Sequence, residues 1–106
     1  MPYGLNEKTL ENIVEVFSHY PKIEKALLYG SRAKGTYKKG SDIDIALVGK
    51  NLNIKELNQI WIELDDLMLP YQFDLTLYNI LSNDEFIDHI DRVGIEIYSK
   101  NHKIHR

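Results

Sequence analysis

Apolar residues recur at three- and four-residue spacing in three stretches of this chain, and short alternating or continuous apolar runs lie between them. That pattern predicts helices interleaved with strands. Leu5, Leu10, Ile13, Val14, Phe17 and Tyr20 mark a first amphipathic helix over residues 6–19, stopped by Pro21. The run KALLY at 25–29 reads as a strand leading straight into Gly30-Ser31, and Gly35 and Gly40 punctuate the segment before a second strand at 43–48. After Gly49, the residues Ile54, Leu57, Ile60, Trp61, Leu64, Leu67 and Met68 share a helical stripe that ends before Pro70, and Trp61 belongs to that stripe.

Residues 71–78 alternate, with Phe73, Leu75 and Leu77 on one side and Gln72, Asp74, Thr76 and Tyr78 on the other, as in a strand with one wet face. Ser82 and Glu85 have the spacing of a capping box for a third helix carrying Phe86, Ile87, Ile90 and Val93. Gly94 then leads into a last strand at 95–98, and the final seven residues read as a frayed tail. With no repeat, low-complexity stretch or linker, residues 1–106 are expected to form a single domain. The expected architecture is two-layer α/β: a mixed sheet of about four strands with helices on one face and the polar, carboxylate-bearing face on the other.

Composition narrows the function classes. A chain of 106 residues, 43% hydrophobic and 27% charged, describes one compact soluble core, with little mass left for a separate acceptor-binding lobe. The absence of cysteine excludes disulfides, thiolate metal sites and cysteine nucleophiles. Neither a secretion signal nor a membrane-spanning run is apparent, so a cytoplasmic setting is expected. A formal net charge of -3 disfavours bulk attraction to nucleic acid and favours a small-molecule or protein partner.

The chemistry is concentrated in Gly30-Ser31-Arg32-Ala33-Lys34-Gly35 and in Ser41-Asp42-Ile43-Asp44. Two carboxylates one residue apart on a strand point to the same face, with Cα atoms roughly 7 Å apart. Their repulsion is costly unless divalent cations offset it, and oxygen-only ligands suit Mg²⁺ or Mn²⁺ held jointly with substrate phosphates. Upstream, Gly30 would let the backbone approach a ligand, the Ser31 and Arg32 N–H groups would meet a phosphate, and Arg32 would add charge to a triphosphate tail. Gly30 to Gly35 has the gap of a P-loop, but Thr36 and Tyr37 stand where that motif needs lysine and a hydroxyl residue.

Gly30-Ser31-Arg32, then Gly35, followed by Ser41-Asp42-Ile43-Asp44, resembles the signature of the DNA polymerase beta-like nucleotidyltransferase superfamily. More narrowly, it resembles the minimal nucleotidyltransferases of prokaryotes, and the likeness extends over nearly the whole chain in length and element order. The resemblance implies a palm-like fold in which Asp42, Asp44 and Asp74 bind the catalytic metals, with Asp74 also acting on the proton of an acceptor hydroxyl. It implies Gly30, Ser31 and Arg32 as nucleotide-binding residues, Mg²⁺ as cofactor and ATP as nucleotide donor. It further implies a HEPN-type toxin whose tyrosine is adenylylated, with this chain as antitoxin in a homo- or hetero-oligomer.

Blander readings stand beside these. A lone Asp-x-Asp or Gly-Ser is usually a solvated turn; their conjunction with Asp74 favours the site. Lys34, Lys38 and Lys39 read first as a solvated loop, and Tyr29, Tyr37 and Tyr78 as packing residues with wet hydroxyls. His102 and His105 lack a third ligand and are not read as a metal site. The competing function is a non-catalytic module that neutralises a toxin by contact alone.

Overall fold

The computed structural model describes residues 2–101. After a 3₁₀ turn at Pro2–Gly4, the elements are α1 (Glu7–Ser18), β1 (Lys25–Tyr29), α2 (Gly30–Lys34), β2 (Ile43–Val48), α3 (Ile54–Asp65) and β3 (Phe73–Leu77). A second 3₁₀ turn, Tyr78–Ile80, precedes α4 (Asp84–Val93) and β4 (Ile95–Ser99). Among the described residues, no helix is long and apolar enough to cross a membrane.

The four strands form one mixed sheet in the order β3-β2-β1-β4. β1 is antiparallel to both β2 and β4, whereas β2 and β3 are parallel. α3 makes the crossover that parallel neighbours require. Three asparagines start the long helices: the side chains of Asn6, Asn53 and Asn83 accept the N–H groups of Thr9, Glu56 and Phe86 at 2.7, 2.9 and 2.9 Å. Each satisfies one of the amide groups that a helix N-terminus leaves without a partner. The start of α4 is thus set by Asn83, one residue beyond the expected Ser82 cap.

Strand alternation divides the core. Ala26 and Leu28 of β1, Ile43, Ile45 and Leu47 of β2, and Phe73, Leu75 and Leu77 of β3 face Leu10, Ile13 and Phe17 of α1 and Ile60 and Leu64 of α3. These two helices form the expected second layer. Full burial of each Leu, Ile or Phe side chain contributes about 1.5–3 kcal/mol, so this layer carries most of the stability. β4 meets β1 with a register shift between Ala26 and Leu27, and consecutive residues Ile97 and Tyr98 are both buried there. A bulge permits what strict alternation would not.

The opposite face is not left bare. Leu27 and Tyr29 of β1 and Ala46 of β2 pack against Phe86, Ile90 and Val93, so α4 covers the β1 side of that face. The layer beyond the sheet is therefore partial, and it leaves the β2–β3 side open. α3 also differs in detail from the periodic reading. It ends at Asp65, short of Leu67 and Met68, and Met68 sits at φ 59° with 87% of its surface exposed. Trp61 is exposed too, and its indole N–H donates to the Phe73 carbonyl at 3.1 Å.

If α4 is anchored through Ile90, which is fully buried, Ile90→Ala should cost about 2–5 kcal/mol. Urea unfolding of the two proteins measures this. A loss within the roughly 0.5 kcal/mol typical of surface changes would show that α4 is not docked on the sheet.

Candidate active site

The site begins where β1 ends. Gly30 takes φ 72°, in the left-handed region where a side chain is strained. A Cβ at this position would also land on the Oδ2 of Asp44, with Asp44 Cγ 3.1 Å away. Glycine is thus required twice over, by the turn and by the close approach of Asp44. Ser31 follows in the first turn of α2, and its carbonyl accepts the N–H groups of Gly35 and Thr36 at 2.9 and 3.0 Å. Gly35, at φ 84°, closes this short helix.

Register assembles the carboxylates. Tyr29 lies opposite Asp44 across the β1–β2 ladder, and Asp44 lies opposite Asp74 across the parallel β2–β3 ladder. Side chains of register partners emerge on the same face, about 5 Å apart at the backbone. Asp42, just before β2, is exposed, as is Asp74; Asp44 between them is partly buried. The Asp44 carboxyl is pushed up from 3.8 to about 6, chiefly by desolvation, then by the like charges of Asp74 and Asp42, while Arg32 pulls it down. The sequence-predicted trio is therefore electrostatically joined.

Behind the carboxylates lies a wall that no motif announced. Tyr29 is only 5% exposed, its hydroxyl 3.3 Å from Thr76 Oγ1. Its ring meets Phe86 and His89 of α4 edge-on at centroid distances of 5.5 and 6.1 Å. Fully buried Ala46 follows Asp44 by two residues on β2, on the strand face that Tyr29 also occupies. Burial raises the Tyr29 phenol above its ordinary range, and the neighbouring charges of Asp74 and Asp44 act in the same direction. Tyr29 remains neutral, so this wall adds no charge to the site. The only sequence signal for it is the alternation that puts Tyr29, Asp44, Asp74 and Thr76 on one face.

Arg32, expected to meet a triphosphate, is engaged within the chain. It is 3% exposed, with Nε and Nη2 donating to the Ser41 carbonyl at 3.1 and 2.7 Å and Nη1 donating to the Tyr3 carbonyl at 2.9 Å. Its guanidinium also lies over the rings of Tyr71 and Tyr37, 4.7 and 5.3 Å from their centroids. These contacts tie the N-terminal turn and the start of β3 to the loop that delivers Asp42. The guanidinium bonds backbone carbonyls, which makes Arg32 an internal brace that also lines a cavity beside Tyr37 and Tyr71. Its charge also favours the ionised form of Asp44.

Lys34, Lys38 and Lys39 are exposed and form no ion pair among the described residues. Lys38 and Lys39 border a cavity of about 480 Å³ with Tyr37 and Tyr71. Tyr37 braces Arg32, and the Tyr78 hydroxyl donates to Asp91 at 2.7 Å, in keeping with packing roles. His102 and His105 lie outside the described residues.

Among the described residues, no three His, Asp or Glu side chains stand close enough together to close a metal site unaided. The donors nonetheless suit a hard divalent cation: all are carboxylate oxygens, two are exposed, and the third is disfavoured as an anion by burial and then by its acidic neighbours. An ion bridging them would relieve that repulsion.

A Gly-Ser turn pressed against aspartates on adjacent strands of a mixed sheet defines the class: a nucleotidyltransferase-type domain. The family described as "Polymerase beta, Nucleotidyltransferase" matches residues 11–103, and the chain belongs to it. A candidate protein adenylyltransferase of Methanocaldococcus jannaschii is 28% identical over 79 residues, covering 72% of this chain and 80% of that protein. A chain of a toxin–antitoxin complex solved with AMP-PNP superposes at a TM-score of 0.70 with 23% identity, over 90% of this chain and 74% of that one. A chain of the complex between a tri-AMPylated Shewanella oneidensis HEPN toxin and an MNT antitoxin gives 0.68 with 17% identity, over 92% and 75%. At these identities the solved structures establish a shared fold.

Because the folded-state Asp44 pKa lies above its ordinary value, the folded protein holds a proton that the unfolded chain has released between about pH 4 and 6. Metal-free stability should therefore fall as pH rises through this window. Asp44→Asn should flatten that fall and leave the variant more stable than wild type at pH 7. The gain should be on the order of 1 kcal/mol, since Asp44 is partly open to screening solvent. Urea melts at pH 4.5 and 7 in EDTA measure it; a variant less stable at pH 7 would mean that the Asp44 charge is not strained.

Proposed function

We propose that this chain transfers AMP from ATP to a protein hydroxyl, a tyrosine of a HEPN-type toxin, and so acts as an antitoxin. The observation that carries this reading is the placement of Asp44 beside Asp74, with the Gly30-Ser31 turn closed against Asp44. Asp42, Asp44 and Asp74 would hold Mg²⁺ or Mn²⁺. The bound cation supplies neutralisation of the triphosphate and of the carboxylates themselves.

The chain's own groups account for the remaining chemistry. Gly30 keeps the turn free of side-chain bulk, so that a phosphate can approach the Ser31 backbone and hydroxyl. Tyr29 and α4 close one side of the site against water, as an electrostatic site requires. Asp74, exposed on the strand that α4 leaves open, is reachable by a hydroxyl carried on another molecule. It would take the hydroxyl proton as the oxygen attacks the α-phosphorus; the bond to the bridging oxygen breaks and pyrophosphate leaves.

The partner and the nucleotide follow the relatives. One fold neighbour was solved with AMP-PNP, another contains an AMPylated HEPN toxin, and the Methanocaldococcus jannaschii relative is a candidate protein adenylyltransferase. Such a reaction belongs in the cytoplasm, where ATP is available.

Incubation with Mg²⁺, ATP labelled at the α-phosphate and the partner toxin should label the toxin. Asp74→Asn should reduce labelling by at least about 100-fold. Absence of label despite metal-dependent ATP binding would favour neutralisation by contact alone.

A further inference from the structure

Five large apolar side chains are exposed among the described residues: Ile54, Trp61, Ile62, Met68 and Ile80, from 42% to 87%. Three of them are on one helix. Ile54, Trp61 and Ile62 are on α3, Met68 lies just beyond its end, and Ile80 follows β3, the strand on which α3 packs. β3 is an edge strand. A cluster of this kind beside a sheet edge marks an interaction surface, because isolated exposure would need no explanation.

Helical geometry gives the surface its shape. Counting about 100° per residue, Ile54, Asn58, Ile62 and Asp65 share a sector of α3 turned away from buried Ile60 and Leu64, and Trp61 borders it on the side toward the sheet. The indole N–H of Trp61 reaches the Phe73 carbonyl, so this sector overhangs the free edge of β3. That carbonyl is already taken, which disfavours continuing the ladder with an added strand. Contact through side chains of α3 remains.

The charges at the two ends of this sector select the occupant. Lys55 flanks it at the N-terminal end, and Asp65 and Asp66 lie at the C-terminal end; all three are exposed and none forms an ion pair among the described residues. A two-fold axis across the middle of α3 lays one helix antiparallel to its copy. It brings Lys55 of each protomer to the aspartates of the other while Trp61 and Ile62 meet near the centre. We infer that the exposed face of α3 is a self-complementary interface at which two copies of this chain form an antiparallel, two-fold dimer. α3 is about 18 Å long, which makes the contact small and the dimer weak, in the micromolar range or weaker.

The test uses the full chain without nucleotide or partner, so its outcome is independent of the transfer activity. Sedimentation velocity from about 1 to 500 µM should show monomer converting to dimer, and Trp61→Glu should remain monomeric across that range. Lys55→Glu should weaken the dimer about tenfold through its two symmetry-related pairs, and adding Asp65→Lys and Asp66→Lys should restore it. These charge changes are at exposed positions, and circular dichroism confirms that each variant is folded. A wild-type protein that is monomeric at about 500 µM overturns the inference. So does a dimer indifferent to Trp61→Glu, or a charge swap that fails to restore association.

Discussion

Parallel pairing of β2 with β3 fixes Asp44 opposite Asp74, and the surrounding structure answers to the strain of holding those like charges together. Asp44 is partly buried and reluctant to ionise. The pairing persists because it is purchased elsewhere: alternate residues of both strands, Ile43, Ile45, Leu47, Phe73 and Leu77, are buried under α1 and α3. A one-residue slip of either strand would turn its carboxylate into that apolar layer and its apolar residues outward. Hydrophobic register and the placement of the carboxylates are therefore one constraint.

Gly30 and Arg32 act on the same pair from opposite directions. Glycine at the end of β1 leaves room for the Asp44 carboxylate, while the Arg32 guanidinium clamps the loop that brings Asp42 to its position. Arg32 is buried yet has backbone carbonyls and two aromatic rings around it. A lysine could not make this planar, forked set of contacts. The brace also explains how a five-residue helix can be a fixed part of the site.

The strands at Lys25–Tyr29 and Ile43–Val48 coincide with their sequence reading, because glycine and apolar runs bound them clearly. The shared face of Asp44 and Asp74 was legible for a related reason: period-two alternation assigns each strand's polar side, and both strands point theirs the same way. The contacts of Arg32 within the chain were not legible, because a basic residue beside a Gly-Ser turn looks the same in sequence whether it meets phosphate or carbonyl oxygen. Its partners, Tyr3 and Tyr71, are distant in the chain. Trp61 belongs by spacing near the apolar stripe of α3, but its indole found a carbonyl at the sheet edge, and periodicity does not see such a partner. Likewise, the apolar stripe of α4 requires burial without saying on which face of the sheet.

Under the proposed function, Asp42, Asp44 and Asp74 jointly hold a cation in a site completed by nucleotide. Titration of the purified chain with Mn²⁺, followed by electron paramagnetic resonance with and without AMP-PNP, tests it directly. Wild type should bind Mn²⁺ weakly alone and more tightly with nucleotide, and Asp74→Asn should lose most of that enhancement. Equal Mn²⁺ binding by wild type and Asp74→Asn in the presence of AMP-PNP would contradict a site shared between the two strands.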